Sequence, residues 1–105
     1  MKTALMADPV FREHLVGRQH PERQERFDAV MEGLSQAGLL ERLIRVEARV
    51  ATEDELALCH TPDYLRTAQC DVSSGRPYLS TGDTEITPNS WDVAVRAAGG
   101  VAPER

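Results

Sequence analysis

The sequence lacks the features of a disulfide-rich, secreted or membrane protein. Its two cysteines, Cys59 and Cys70, are too few for a disulfide scaffold and form no C-x-x-C pair, so we expect reduced thiols. The N-terminal apolar run is broken by Asp8 and Pro9, and it is too short for a signal peptide or a membrane span. We therefore expect a cytoplasmic protein with no membrane partner.

The sequence also lacks an excess of basic charge. Twelve Lys and Arg residues face 17 Asp and Glu residues, which gives a formal charge of −5, and no basic stripe follows one segment. This excludes nucleic acid as a direct partner. No repeat, low-complexity tract or linker divides residues 1–105, so we expect one domain portion with a modest core.

Apolar periodicity indicates an α/β fold. Residues 3–7 and 43–47 predict two strands, the first of them buried. Between them, a helix is predicted from Pro21 to a left-handed cap at Gly38, with Leu39 packing back on Leu34. The helix carries an apolar stripe that we expect to face the core, formed by Phe27, Val30, Met31 and Leu34.

The second half of the chain predicts further helices and one loop. Thr52 and Glu55 have capping-box spacing, and Thr61-Pro62 begins another helix. The order of elements favours parallel strands covered by helices. Two or three strands do not complete such a sheet, and Pro103 interrupts the last helix, so we expect a truncated domain. The remaining assignments are a helix face at Tyr64, Leu65 and Ala68, a loop at 71–85 with a strand fragment at Tyr78-Leu79, and a helix face at Trp91, Ala94, Val95 and Ala98.

Two groups of polar residues allow alternative interpretations. One interpretation combines His14 and His20 with Asp8 as metal ligands, but their spacing matches no zinc pattern, so solvated loop histidines are favoured. Cys59 and His60 are neighbours and suggest a thiolate with its base. Adjacent residues on a helix do not face each other, so a structural pair is favoured.

Three segments together resemble histone deacetylases and their bacterial relatives, the acetoin-utilisation and acetylpolyamine amidohydrolase proteins. The resemblance covers the chain up to Gly100 and implies the N-terminal part of an arginase/deacetylase-like parallel sheet covered by helices. The segments, in order, are HPERQER at 20–26, ATEDEL at 51–56 with CHTPDYL at 59–65, and GDT at 82–84 with Pro88, Ser90 and AAGG at 97–100.

The resemblance implies hydrolysis of the acetyl amide of acetyl-lysine or an acetylpolyamine. In the family, a zinc ion held by two Asp and one His polarises the carbonyl, and a His pair and a Tyr assist. These residues follow the AAGG segment in the family and have no counterpart here. We therefore assign no catalytic or metal-binding residue, expect no cofactor in this chain, and expect it to be inactive alone.

The resemblance does imply some residues at the rim of the active site. Pro21, Glu22 and Asp83 correspond to loops that contact substrate, and Arg26 to an arginine near an internal channel for acetate. An exposed ion pair is the alternative for Arg26, and a turn role for Asp83. Gln24 replaces the proline usual in the family.

A second hypothesis is a small binding or oligomerising module, for example a homo-oligomer. The predicted strand edges and the Trp91 stripe lack covering elements, and exposed edges of this kind pair with other chains.

Overall fold

A computed structural model describes residues 2–15, 23–82 and 84–101. The described chain follows the predicted order of strands and helices and adds two 3₁₀ helices that the sequence pattern did not predict. The elements are β1 (Ala4–Leu5), a 3₁₀ helix (Pro9–Glu13), α1 (Gln24–Gln36), a second 3₁₀ helix (Leu40–Arg42), β2 (Ile44–Arg45), α2 (Glu53–Leu56), α3 (Pro62–Ser73) and α4 (Ser90–Val101).

The two strands pair in parallel, as predicted. Ala4 lies opposite Ile44 and Leu5 opposite Arg45. Both strands are shorter than predicted, and β1 is exposed or half-buried rather than buried. The parallel pairing with a helical crossover confirms the α/β class.

Helix α1 begins later than the sequence pattern indicated and ends where it was predicted to end. Arg23 is extended and the first helical residue is Gln24, whereas the predicted start, Pro21, lies outside the described residues. At the other end Gly38 has a φ of 70°. Its N–H donates to the Ser35 carbonyl at 3.1 Å, and the Leu39 N–H donates to the Leu34 carbonyl at 3.0 Å. This is a Schellman motif, which satisfies carbonyls that the helix leaves unpaired.

The prediction that the apolar stripe of α1 lies in the core is wrong for this chain. No described residue of α1 is buried, and Val30 is 60% exposed. The reason is the neighbour of the helix: α1 packs mainly against the 3₁₀ helix Pro9–Glu13. The Arg12 guanidinium and the Asp28 carboxylate join the two elements, with Nε to Oδ1 at 2.8 Å.

Helices α2 and α3 have the predicted caps. The Thr52 hydroxyl accepts from the Glu55 N–H at 3.2 Å, and the Glu55 carboxylate accepts from the Thr52 N–H at 3.0 Å, which completes a capping box. Thr61 caps α3 by accepting from the Tyr64 N–H. These local bonds fix where both helices begin.

Residues 77–79 and 84–86 pair as the two arms of a short hairpin between α3 and α4. Tyr78 and Glu85 form an antiparallel bridge. The Leu79 N–H donates to the Thr84 carbonyl at 2.9 Å, and the Ile86 N–H donates to the Pro77 carbonyl at 3.0 Å. The predicted strand fragment at Tyr78-Leu79 is therefore one arm of this hairpin.

Helix α4 lies directly on the chain that follows β2. A Cβ built on Gly99 would overlap the Arg49 carbonyl oxygen and lie 2.7 Å from the Ala51 nitrogen. A Cβ on Gly100 would overlap the Met6 sulfur. The Ala51 N–H donates to the Val95 carbonyl at 3.0 Å. The two glycines thus permit this close contact. The buried apolar residues of the described chain are Leu15, Ala51, Val72, Ile86, Val93 and Val95.

Candidate functional site

Three polar residues from distant parts of the sequence meet in a hydrogen-bonded cluster. We call His14, Thr87 and Ser90 the His14 junction. The His14 Nδ1 lies 2.8 Å from the Ser90 Oγ. The Thr87 N–H donates to the Ser90 Oγ, also at 2.8 Å, and the Thr87 hydroxyl donates to the His14 carbonyl. The junction therefore ties the end of the first 3₁₀ helix to the start of α4.

The junction is largely shielded from solvent. Thr87 and Ser90 are buried, His14 is half-buried, and the following residue, Leu15, is also buried. The prediction that His14 is a solvated loop histidine is wrong, because Ser90 and Thr87 enclose it on one side. The other histidine of that prediction, His20, lies outside the described residues.

Two residues of the junction lie close in sequence to the two segments that carry the predicted substrate contacts. Residues 16–22, which include Pro21 and Glu22, follow directly after Leu15. Asp83 directly precedes Thr84 in the sequence, and Thr84 begins the second arm of the hairpin, which leads into Thr87. Pro21, Glu22 and Asp83 themselves lie outside the described residues. The structure thus brings together described residues from both places in the sequence. His14 and Leu15 come before the first segment, and Ile86 and Thr87 come after the second.

The hairpin is held at a second point by Asp71, a buried residue of α3. Its Oδ2 accepts from the Ser80 N–H at 2.8 Å and from the Ser80 hydroxyl at 2.7 Å. These two hydrogen bonds, with a smaller contribution from the charge of Arg76, hold the pKa of Asp71 below its usual range. The Asp71 carboxylate therefore holds Ser80 after the first arm, and the His14 junction holds Thr87 after the second arm.

An apolar cleft of about 330 Å³ opens beside the junction, between α3 and α4. His14, Thr84 and Ser90 are among the residues that line it. The predicted faces of α3 and α4 are confirmed here, because their residues point toward each other across this space. The other lining residues are Leu56, His60, Tyr64, Leu65, Ala68, Val72, Leu79, Ile86, Trp91, Ala94, Val95 and Ala98.

The surroundings of Cys59 and His60 bear on whether the two residues act as a pair. The His60 ring stacks on the Tyr64 ring, with centroids 5.0 Å apart and planes inclined by 25°. Cys59 is an exposed free thiol. This favours the structural interpretation, because the imidazole, which lies between α2 and α3, packs on the first turn of α3.

Arg26 lies on the exposed surface of the first turn of α1. Within the part of the chain that the structure describes, its side chain has no acidic partner within salt-bridge distance. Neither the channel role nor the ion-pair alternative is tested by this position, and both stay predictions.

The match to known families decides what kind of domain this is. The family model of the histone deacetylase domain matches residues 20–103. The chain belongs to the histone deacetylase family. The match includes all three segments on which the resemblance was based, as well as α1 to α4, and excludes β1 and the 3₁₀ helix that carries His14 at its end.

Individual relatives extend the likeness to nearly the whole chain. A protein of Archaeoglobus fulgidus described as "Probable deacetylase" is 29% identical over 102 residues, which are 95% of this chain and 28% of that protein. The human polyamine deacetylase HDAC10 is 48% identical over 44 residues, 42% of this chain and 7% of that protein. The chain therefore spans less than a third of the length of either relative.

A solved structure confirms the fold of a deacetylase domain. The HDA15 HD domain superimposes with a TM-score of 0.79 and 28% sequence identity, and the match covers 93% of this chain and 29% of that one. The two parallel strands and the helices around them thus correspond to part of a larger deacetylase domain.

The described residues do not fit the zinc site that membership of the family implies. Across residues 2–15, 23–82 and 84–101, no group of three or more His, Cys, Asp and Glu side chains could hold a metal ion. Asp8, considered with His14 as a ligand, instead caps the first 3₁₀ helix by accepting a hydrogen bond from the Val10 N–H at 2.9 Å.

Among residues 2–15, 23–82 and 84–101, no helix combines the length and apolar character needed to cross a bilayer.

The His14 junction is the part of the site that the sequence did not reveal. Ser90 was noted only as part of a family motif, and His14 only as a metal candidate. Their contact joins residues 76 positions apart. No periodicity or local motif connects positions so distant, and the only local signal was Ser90 at the start of a predicted helix, a position that serine often occupies as a cap.

Proposed function

We propose that residues 1–105 form the N-terminal part of a zinc-dependent deacetylase domain. The intact domain hydrolyses the acetyl amide of acetyl-lysine or an acetylpolyamine, breaking the C–N bond and releasing acetate and an amine. The observation that supports this most is the superposition on a deacetylase domain along 93% of the chain. The human relative's description as a polyamine deacetylase supports the choice of substrate class.

In this proposal the chain contributes the rim of the active site. Pro21, Glu22 and Asp83 contact the substrate, and Arg26 lies near the channel that releases acetate. The zinc ligands and the proton-transferring groups come from the remainder of the domain, so the 105-residue chain alone is inactive. The cytoplasm, where acetylated polyamines and proteins are available, is the proposed location.

Two products should be compared to test this function. Mass spectrometry of cells that express the gene would first search for peptides encoded beyond Arg105. The 105-residue chain and the longest product found would then be assayed for acetate release from an acetyl-lysine peptide and from N-acetylputrescine. We expect release by a longer product only. Release by the 105-residue chain, or no release from either substrate by a longer product, would contradict the proposal.

A second candidate function is that of a binding or oligomerising module. In the described residues the sheet has only two strands, so each strand has an unpaired edge. Ile44 and Val30 expose apolar side chains. Surfaces of this kind associate with other chains. Analytical ultracentrifugation at several concentrations tests this candidate, and a monomer at all of them that binds no dye for apolar surface would exclude it.

A further inference from the structure

We draw no further inference here: the strongest candidate, the apolar cleft of about 330 Å³ between α3 and α4, is open along Ala94 and Ala98, and nothing in the described part of the structure shows what covers it.

Discussion

At the scale of single residues, two glycines and one ion pair shape the contact between α4 and the chain that follows β2. Gly99 allows α4 to touch backbone atoms, and a larger residue there requires movement of the main chain. At Gly100 a Cβ would instead overlap the side chain of Met6. The Arg49 guanidinium also donates two hydrogen bonds, of 2.9 and 2.6 Å, to the Glu55 carboxylate. This ion pair joins the chain after β2 to α2. The paired glycines of the family's AAGG segment thus have a packing reason in this chain.

Replacement of Gly99 by alanine should destabilise the fold strongly. The new Cβ would overlap the Arg49 carbonyl, which is backbone and has little freedom to move. We expect a loss of about 1–3 kcal/mol in the free energy of unfolding. Urea denaturation measures it.

Gly33 provides the matched control for this substitution. It is also helical, but a Cβ there would meet no atom within 4 Å. Gly33→Ala should therefore stabilise α1 by about 0.5–1 kcal/mol, since alanine loses less backbone entropy in a helix. Equal effects at the two positions would contradict the packing argument.

The Glu55 carboxylate should make the fold sensitive to acid. The hydrogen bond from Arg49, followed by that from the Thr52 backbone, lowers the pKa of Glu55 from 4.5 to about 2. Because the pKa is lower in the folded than in the unfolded chain, this stabilisation is fully present above about pH 4.5. It is lost progressively as the pH falls to about 2 and below.

Thermal unfolding of Glu55→Gln between pH 7 and pH 2 tests this dependence. Glutamine can still accept from the Thr52 N–H, but it loses the charge that pairs with Arg49. The difference in Tm between the original chain and the variant should therefore shrink as the pH falls. Glu53→Gln, which removes a carboxylate from the same helix without breaking a described salt bridge, should show a smaller difference. A Tm difference for Glu55→Gln that does not change with pH would refute the assignment.

At the scale of secondary-structure elements, the sequence correctly predicted the helix ends that depend on neighbouring residues. The capping box at Thr52 and Glu55, the cap at Thr61 and the left-handed Gly38 were all read correctly, because each depends on residues within five positions of one another. The start of α1 was wrong by three residues. Proline at 21 favours a first helical position, but the structure has Arg23 extended, with the helix beginning after it.

The cap at Gly38 should contribute measurably to the stability of α1. Its φ of 70° is unfavourable for residues with a Cβ. Gly38→Ala should cost about 1 kcal/mol, and Gly38→Asn less, because asparagine tolerates this conformation better. Circular dichroism during urea denaturation measures both. Gly82→Ala, at a glycine without a positive φ and with no atom near its Cβ position, is the control.

At the scale of the whole molecule, the chain shows less burial than its apolar pattern predicted. No described large side chain is fully buried, and the smallest dimension is 17 Å, about the thickness of a helix layer on a sheet. Periodicity identified which face of α1 is apolar, but it carries no information about what lies opposite that face. The same limit applies to the contact between His14 and Ser90, which depends on how distant elements pack.

The exposed apolar faces should make the isolated chain associate. Val30→Glu and Ile44→Lys place a charge on the α1 stripe and on a strand edge respectively, and both side chains are about half exposed or more. We expect each to lower the average mass measured by sedimentation at high concentration, since charges on edges oppose pairing. Glu32→Lys, at an exposed polar position of α1, should have no comparable effect. Unchanged association in both apolar variants would show that other surfaces are responsible.

The separation between His14 and Ser90 also affects the order in which the chain can fold during synthesis. With 76 positions between them and translation at about 5–20 residues per second, roughly 4–15 s pass before the histidine can meet its serine. During that interval α1, α2 and α3 can form from local contacts, while the first 3₁₀ helix has no partner in α4. The contact between the first 3₁₀ helix and α4 is thus among the last contacts of this segment to form on the ribosome.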